Sequence, residues 1–175
     1  MKICLSIGHS EDAQGAMNQT FDVSEFQYNT GLAVKIAQRL MALHHDVAII
    51  TRDSLDGLPS KINETQAAIA VELHCNAFNK ITSGTEVLHY PTSTKGAKLA
   101  QLIQDEIVDV LQIRDRGIKP SGRELILRKT VMPCVIVESF FIDNDLDYLI
   151  GSEMIEELAD AISNAVHQYS LLSKY

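Results

Sequence analysis

Three residues whose side chains bind metals or transfer protons each follow an apolar run. His9 follows KICLSI, His74 follows AAIAVEL, and Glu138 follows CVIV. A carboxylate among apolar neighbours loses hydration, so it must be paired, protonated or bound to a cation. Imidazole and carboxylate ligands suit zinc, and a catalytic zinc typically has three protein ligands and one open position. These residue types indicate a metallohydrolase with an incomplete ligand set; the alternative, that each histidine is a satisfied core or turn residue, stays open.

The predicted elements place the three residues at one edge of a sheet. Strands alternate with segments of helical periodicity, which indicates an α/β fold. We predict a single domain with a twisted, mostly parallel and possibly mixed sheet of about six strands and helices on both faces. Its carboxyl edge is where such sheets gather ligand sites. The predicted strands are 2–7, 46–51, 67–73, 84–90, 124–128 (short enough to run antiparallel) and 133–139, and the predicted helices are 24–44, 59–65, 94–112 and 153–172.

Size and charge narrow the function classes. The chain has 175 residues, which suits one domain with a real core, and we find no internal repeat or linker. A net charge of −8 argues against a nucleic-acid partner, because no overall positive field attracts phosphates. Three cysteines cannot form a closed disulfide set, so we interpret them as buried free thiols.

The N-terminus and the hydropathy bear on localisation. The N-terminal MKICLSIGHSED has one lysine and an apolar run too short for a signal peptide, and no window reaches the length of a transmembrane segment. We expect a protein made in the cytoplasm, or the mature part of a longer exported chain.

Four motifs in register resemble one enzyme family. They are the Gly8–His9 turn, Ser24–Glu25 at a helix start, ELHCNA at 72–77, and MPCVIVESFFIDNDLD at 132–147. Together they resemble the zinc-dependent N-acetylmuramoyl-L-alanine amidases, over nearly the whole chain. The resemblance implies a single catalytic amidase domain, 1–175, without a separate cell-wall-binding domain.

The resemblance also implies roles for individual residues. His9, Glu25 and His74 would hold one zinc ion per chain. Glu138 would be the general base that takes a proton from the attacking water and then the acid that delivers it to the leaving amine. For Glu25 an alternative stays open: DVSE at 22–25 is a plausible capping box in which Glu25 only closes the helix start.

The implied substrate is peptidoglycan, cut at the amide between the lactyl group of N-acetylmuramic acid and L-alanine of the stem peptide. Asn76, in the second histidine motif, and Arg128 would contact it. Arginine suits the free carboxylates of a stem peptide, although the alternative of a solvated loop with scattered charges stays open. The basic residues that precede Glu138 are Arg114, Arg116, Lys119, Arg123, Arg128 and Lys129.

Alternative activities and alternative biological contexts stay open. A cysteine hydrolase using Cys75 beside His74 is disfavoured, because adjacent strand residues point to opposite faces. Another zinc hydrolase on the same fold, such as a carboxypeptidase, is the more serious alternative, and a catalytically lost peptidoglycan-binding module is a further one. A lone catalytic domain resembles a phage endolysin, which acts on the wall after release, but a trimmed exported amidase would look the same. The oligomeric state stays open.

Overall fold

Six strands form one mixed, mostly parallel sheet in the computed structural model, which describes residues 1–173. The sheet order is β4-β1-β5-β8-β6-β7, and only the β6–β8 pair is antiparallel. The predicted α/β class is therefore confirmed. The strands of this sheet are β1 (Lys2–Ile7), β4 (Asp46–Thr51), β5 (Ile69–Asn76), β6 (Thr85–His89), β7 (Asp115–Pro120) and β8 (Cys134–Phe141), and a short antiparallel pair consists of β2 (Met17–Asn18) and β3 (Val23–Ser24).

Helices cover both faces of the sheet. The larger hydrophobic cluster lies under the first, third and sixth helices, and a smaller cluster lies under the short second and fourth helices. The helices of residues 1–173 are α1 (Glu25–Ala42), α2 (Leu58–Glu64), α3 (Thr94–Leu111), α4 (Leu125–Lys129), α5 (Asp145–Glu153) and α6 (Ile155–Leu172). None of them combines the length and the apolarity that a membrane span needs.

The central strands form where apolar runs can be buried on both faces. In β5, the five residues from Ile69 to Leu73 are all buried, and in β8 the four residues before Glu138 are buried as well. Continuous apolar runs of this kind are typical of parallel strands covered on two sides. These runs lead to His74 and Glu138, which lie toward the carboxyl ends of the two strands, and Glu72 is a buried carboxylate within the run of β5.

One predicted element is corrected, and some elements of the structure are not predicted. The segment 124–128, predicted as a strand, forms the helix α4, in which the consecutive residues Ile126 and Leu127 are both buried. Two adjacent residues that pack into one core fit a helical turn, because a strand would send them to opposite faces. The sixth strand is instead β7, which the sequence patterns do not reveal because DRGIKP is polar and only partly buried at the sheet edge. The helix α5 is likewise not predicted, and it begins at the N-cap Asn144.

Candidate metal centre

The three predicted metal ligands lie together at the carboxyl edge of the sheet. His9 Nε2 lies 3.1 Å from Glu25 Oε2, and His74 Nδ1 lies 2.7 Å from Glu25 Oε1. One ligand atom from each of the three residues lies within 4.8 Å of the other two. These three side chains can therefore hold one metal ion, with Glu25 between the two imidazoles.

Sheet pairing brings the two histidines together. Because β1 and β5 are parallel neighbours, their carboxyl ends meet at the same edge. The backbone N–H of Gly8 donates to the carbonyl of Leu73 at 2.9 Å, which continues the pairing to the residue before His9. A Cβ at Gly8 would lie 2.5 Å from the His74 ring, so a side chain there would displace the imidazole.

Glu25 is held by the backbone of two other segments. Its Oε1 accepts from the Cys75 N–H at 3.0 Å, and its Oε2 accepts from the Ala16 N–H at 3.2 Å. Burial would raise the pKa of Glu25, but the hydrogen bonds from His74 and His9 outweigh it and lower the pKa to about 2. The carboxylate is thus ionised and oriented toward both imidazoles, as a metal ligand requires.

The capping-box alternative for Glu25 is wrong. The N-cap of α1 is Ser24, whose hydroxyl accepts from the Gln27 N–H at 3.1 Å, while the Gln27 side chain accepts from the Ser24 N–H at 2.9 Å. The reciprocal pair is complete without Glu25, which lies at the first helical position. Its carboxylate is therefore free to face the site.

Gly15 closes the site from the loop that follows His9. Its φ is +79°, and a Cβ there would lie 2.5 Å from His9 Cδ2 and 2.6 Å from Glu25 Oε2. The left-handed conformation favours glycine, and the close approach excludes any side chain. Gly15 therefore lets the loop pass directly over two of the three predicted ligands.

The second nitrogen of His74 faces another buried carboxylate. His74 Nε2 lies 3.5 Å from Glu72 Oε2, two residues earlier on the same face of β5. Burial lowers the pKa of His74, but contact with Glu25 and Glu72 more than compensates, so its pKa lies well above the ordinary value in the metal-free protein. The imidazole therefore lies between two glutamates, one at each ring nitrogen.

Glu138 lies beside His74 on the neighbouring strand, since the two are register partners in the β5–β8 pair. Its Oε2 atom is buried and has no hydrogen-bond partner among residues 1–173. Burial raises the pKa of Glu138 to about 7; the charge of His74 opposes this shift, and nearby carboxylates add to it. A buried acceptor left without a partner beside this cluster of candidate ligands is in a position to accept a proton.

The residues present fit a zinc ion. Two ligands on a tetrahedral zinc lie about 3.4 Å apart when each bond is about 2.1 Å. The contacts of 3.1 and 2.7 Å around Glu25 come close to this spacing without a metal. Two imidazoles with one carboxylate also form a ligand set known from catalytic zinc sites, in which water takes the fourth position.

The two predicted substrate-contacting residues lie near the site in different settings. The Asn76 side chain donates to Glu86 Oε1 at 3.0 Å, and Glu86 Oε2 accepts from Arg116 Nε at 2.9 Å. Arg128 lines a cleft of about 470 Å³ that is also lined by His74 and Glu138. Arg128 is thus on a surface that leads to the site, whereas the amide of Asn76 is already engaged within the protein.

Cys75 faces away from the cluster. Its thiol is buried and packs against Asn29, whose Nδ2 lies 3.7 Å from the sulfur. Burial raises the pKa of this thiol well above its ordinary value, and the nearby carboxylates of Glu25 and Glu138 raise it further. A protonated thiol in the core is a poor nucleophile, which agrees with the opposite-face argument against a cysteine hydrolase.

Three residues of the site are not identified by the sequence patterns. Glu72 stands inside an apolar strand, as Glu138 does, and this signal could have identified it. Gly15 gives no local signal, because its closeness to His9 depends on the path of the loop. Arg52, whose Nη2 lies 3.3 Å from His9 Nδ1, follows β4 and could have been found from its position at the same sheet edge.

Comparisons with known proteins bear on the family to which the chain belongs. The profile of the family described as N-acetylmuramoyl-L-alanine amidase matches residues 3–168. An uncharacterized cell wall amidase of Bacillus anthracis is 30% identical over 189 aligned residues, which cover 95% of this chain and 35% of that protein. The chain thus spans about a third of the length of that relative.

Two solved structures are similar over nearly their full length. The catalytic domain of the CD27L endolysin, which targets Clostridia difficile, has a TM-score of 0.84 and 32% identity, covering 95% of this chain and 96% of that one. An N-acetylmuramoyl-L-alanine amidase from Clostridium difficile 630 has a TM-score of 0.87 and 28% identity, covering 99% and 98% of the two chains. With the profile match over most of the chain, these similarities show that the protein belongs to the N-acetylmuramoyl-L-alanine amidase family.

Proposed function

We propose that this protein is a zinc-dependent peptidoglycan hydrolase that cleaves the amide between N-acetylmuramic acid and L-alanine of the stem peptide. The observation that carries the proposal is the cluster of His9, Glu25 and His74, whose ligand atoms lie within 4.8 Å of one another. Glu138, with its unpartnered oxygen, lies beside this cluster. The family supplies the reaction class, and the cluster supplies the groups that such a reaction needs.

His9, Glu25 and His74 are the residues that would hold the zinc ion. When bound, zinc supplies Lewis-acid activation of a water and of the scissile carbonyl near neutral pH. The protein contributes the orientation of the ligands, because backbone N–H groups of Ala16 and Cys75 fix the Glu25 carboxylate between the two imidazoles. A site built in this way does not depend on exposed, flexible side chains for its geometry.

Glu138 moves the proton in this proposal. Its carboxylate accepts the proton of the attacking water and then donates it to the nitrogen of L-alanine as the C–N bond breaks. A general base works best when its pKa is near the working pH, and burial raises the pKa of Glu138 to about 7. The same burial excludes competing hydrogen-bond donors, so the proton is held for the leaving amine.

The proposed substrate contacts and setting follow from the same site. Arg128 lines the cleft that reaches His74 and Glu138, and we assign it to the stem peptide. Asn76 is a weaker candidate, because its amide already donates to Glu86. The similarity to the CD27L endolysin catalytic domain supports a role in host cell lysis, and the similarity to a cell wall amidase supports one in wall remodelling. In either role the protein acts on the cell wall.

Another zinc hydrolase of the same fold, such as a carboxypeptidase, would use the same ligands. Product analysis separates the two reactions. An amidase frees the amino group of L-alanine at the start of the stem peptide, whereas a carboxypeptidase frees an amino acid from its C-terminus. The family match favours the amidase.

The test is the metal content of the purified protein together with the new amino termini released from purified sacculi, with and without a chelator. We expect about one zinc per chain, and L-alanine amino termini that disappear on chelation and return with zinc. The Glu138→Gln variant should keep zinc and lose about 10²- to 10⁴-fold in turnover. Glu157→Gln, an equal charge change at an exposed position of α6, is the matched control and should retain full activity.

Three results would contradict the proposal. Bound zinc without release of L-alanine amino termini would mean that the protein cleaves another amide. A protein that neither binds zinc nor regains activity with it would make the three ligands structural. Normal turnover by Glu138→Gln would remove Glu138 from the reaction.

A further inference from the structure

The cleft that meets the candidate metal centre has a basic wall. His74 and Glu138 line it, and so do Arg123, which comes just before the N-cap of α4, and Arg128, which lies within α4. The cleft holds about 470 Å³, enough for several residues of a peptide. The chain as a whole carries a net charge of −8, so three arginines along one cleft, Arg52, Arg123 and Arg128, are a local feature that the overall composition does not explain.

The guanidinium groups of Arg123 and Arg128 have no partner among residues 1–173. Neither makes an ion pair or a side-chain hydrogen bond in this part of the chain, and both residues are exposed. Other arginines of the protein are engaged: Arg39 pairs with Glu156 and Asp160 across two helices, and Arg116 pairs with Glu86. Arg52, the third arginine that lines the cleft, lies 3.3 Å from His9 Nδ1. Arg123 and Arg128 are therefore the cleft arginines that keep all their side-chain donors available for a ligand.

The carboxylates that share the cleft do not neutralise these arginines directly. Glu72 is buried and faces His74, and Glu138 lies beside the same histidine. Asp56 and Glu124 also line the cleft, but neither carboxylate comes within ion-pair distance of the guanidinium group of Arg123 or Arg128. The acidic groups nearest the metal centre are thus at the buried end, and the free arginines are at the exposed rim.

The chemistry of peptidoglycan indicates which part of the substrate meets this wall; this step rests on the proposed function. N-acetylated sugars carry no charge, and the lactyl carboxyl group is consumed in the amide that is cut. The carboxylates that remain near the scissile bond belong to the stem peptide. Arginine presents paired donors that match a carboxylate, so the basic wall suits the stem peptide better than the glycan.

We propose that Arg123 and Arg128 form a carboxylate subsite, and that this subsite makes the enzyme select stem peptides with a free carboxylate over those in which that group is a primary amide. Amidation removes the negative charge and replaces an acceptor oxygen with a donor NH₂. The amide keeps one acceptor oxygen, but its NH₂ group meets the guanidinium donors with donors of its own, so paired N–H···O contacts to two charged oxygens are lost. The subsite therefore distinguishes substrates by a single functional group of the stem peptide.

The experiment compares kcat/KM on three soluble N-acetylmuramoyl tripeptides. One has all carboxylates free, one is amidated at the α-carboxylate of residue two, and one is amidated at the side-chain carboxylate of a diaminopimelate at residue three. The enzymes are the wild type, Arg123→Gln, Arg128→Gln and the double variant. Arg114→Gln is the matched control, because Arg114 is exposed and lies outside the cleft, and its substitution removes the same positive charge.

We expect the kcat/KM of the wild type to be about tenfold higher on the free-acid substrate than on one of the amidated substrates. This factor corresponds to about one charge-assisted hydrogen bond. That substrate identifies which carboxylate is bound. The ratio should fall toward one in the Gln variants and stay at the wild-type value in Arg114→Gln.

Equal wild-type kcat/KM on all three substrates would overturn the inference, as would Gln variants that slow all three by the same factor. Failure of the proposed function would look different. In that case no substrate would be cut between N-acetylmuramic acid and L-alanine.

Discussion

Glu72 Oε2 lies 3.5 Å from Nε2 of His74, on the side of the imidazole ring opposite to Glu25. Glu72 also accepts from the Ser6 hydroxyl at 3.4 Å, and it is buried. A carboxylate behind a metal-binding histidine fixes the ring orientation and keeps the proton on the nitrogen that faces away from the metal. The His74 Nδ1 atom is thereby left to face the ligand cluster.

We therefore expect Glu72→Ala to weaken zinc binding by about 10- to 100-fold, the usual effect of losing such a partner. Glu72→Gln should recover part of the loss, since its side-chain oxygen can still accept from the imidazole. The measurement is the zinc Kd by competition with a chelator of known affinity, with Glu157→Gln as the charge control. Unchanged zinc affinity in Glu72→Ala would mean that the carboxylate does not orient His74.

Gly15 offers a test of the loop that covers the ligands. Gly15→Ala places a methyl group within 2.7 Å of both His9 and Glu25, so we expect zinc affinity to fall about tenfold or more, as for other displaced ligands. A left-handed alanine also costs about 1–2 kcal/mol of stability by itself. Gly117 separates the two effects, because its φ is +73° and a Cβ there meets nothing within 4 Å.

The paired measurement is the zinc Kd and the free energy of unfolding of both variants. Gly117→Ala should show the loss of stability alone, and Gly15→Ala should show that loss together with weaker zinc binding. If the two variants bind zinc equally well, the contact between the loop and the ligands is not needed for the site.

Replacing Cys75 by alanine should leave the reaction unchanged. Its thiol packs against Asn29 in the core, while the backbone N–H of the same residue holds Glu25. Cys75→Ala keeps that N–H, so we expect kcat within about twofold of the wild type and a stability loss of about 1 kcal/mol from the small cavity. A loss of turnover with zinc still bound would revive the cysteine hydrolase.

The strands that could be predicted from the sequence are those that carry an apolar run, whether they lie in the centre of the sheet, as β1 does, or at its edge, as β4 does. The predicted bounds 2–7 and 46–51 match β1 and β4, because apolar runs bounded by turn residues are a local signal. The strand β7 escapes this signal, since an edge strand can be polar and is recognised only through its partner β6. The pairing of β6 with β8 as the antiparallel member of the sheet is likewise a long-range property.

The residues of the candidate site also differ in whether a local sequence pattern identifies them. His9, His74 and Glu138 could be grouped from position alone, because each ends or interrupts an apolar run at the same sheet edge. Glu25 could be assigned only through the family resemblance, since its local pattern favoured a cap that Ser24 and Gln27 in fact form. Its place between the histidines depends on how the loop through residues 10–24 returns to the sheet, which no local pattern encodes.

The raised pKa of Glu138 predicts how the stability of the metal-free protein depends on pH. The pKa of this carboxyl is about 7 in the folded protein against an ordinary value of 4.5, and burial is the main cause. Between these values the folded state keeps the proton that the unfolded state releases. Stability must therefore fall as pH rises from about 4.5 to about 7, by up to about 3 kcal/mol from this group.

Glu138→Gln cannot ionise, so it should escape this loss. We expect the free energy of unfolding of the variant, measured with denaturant in the presence of a chelator, to exceed that of the wild type by more at pH 8 than at pH 5. The other titrating groups are present in both proteins, so the comparison reports the ionisation of Glu138 together with its coupling to His74, whose pKa the Glu138 charge raises. An equal difference at the two pH values would show that Glu138 is already ionised in the folded protein at pH 5, and its unpartnered oxygen would then need a cation rather than a proton.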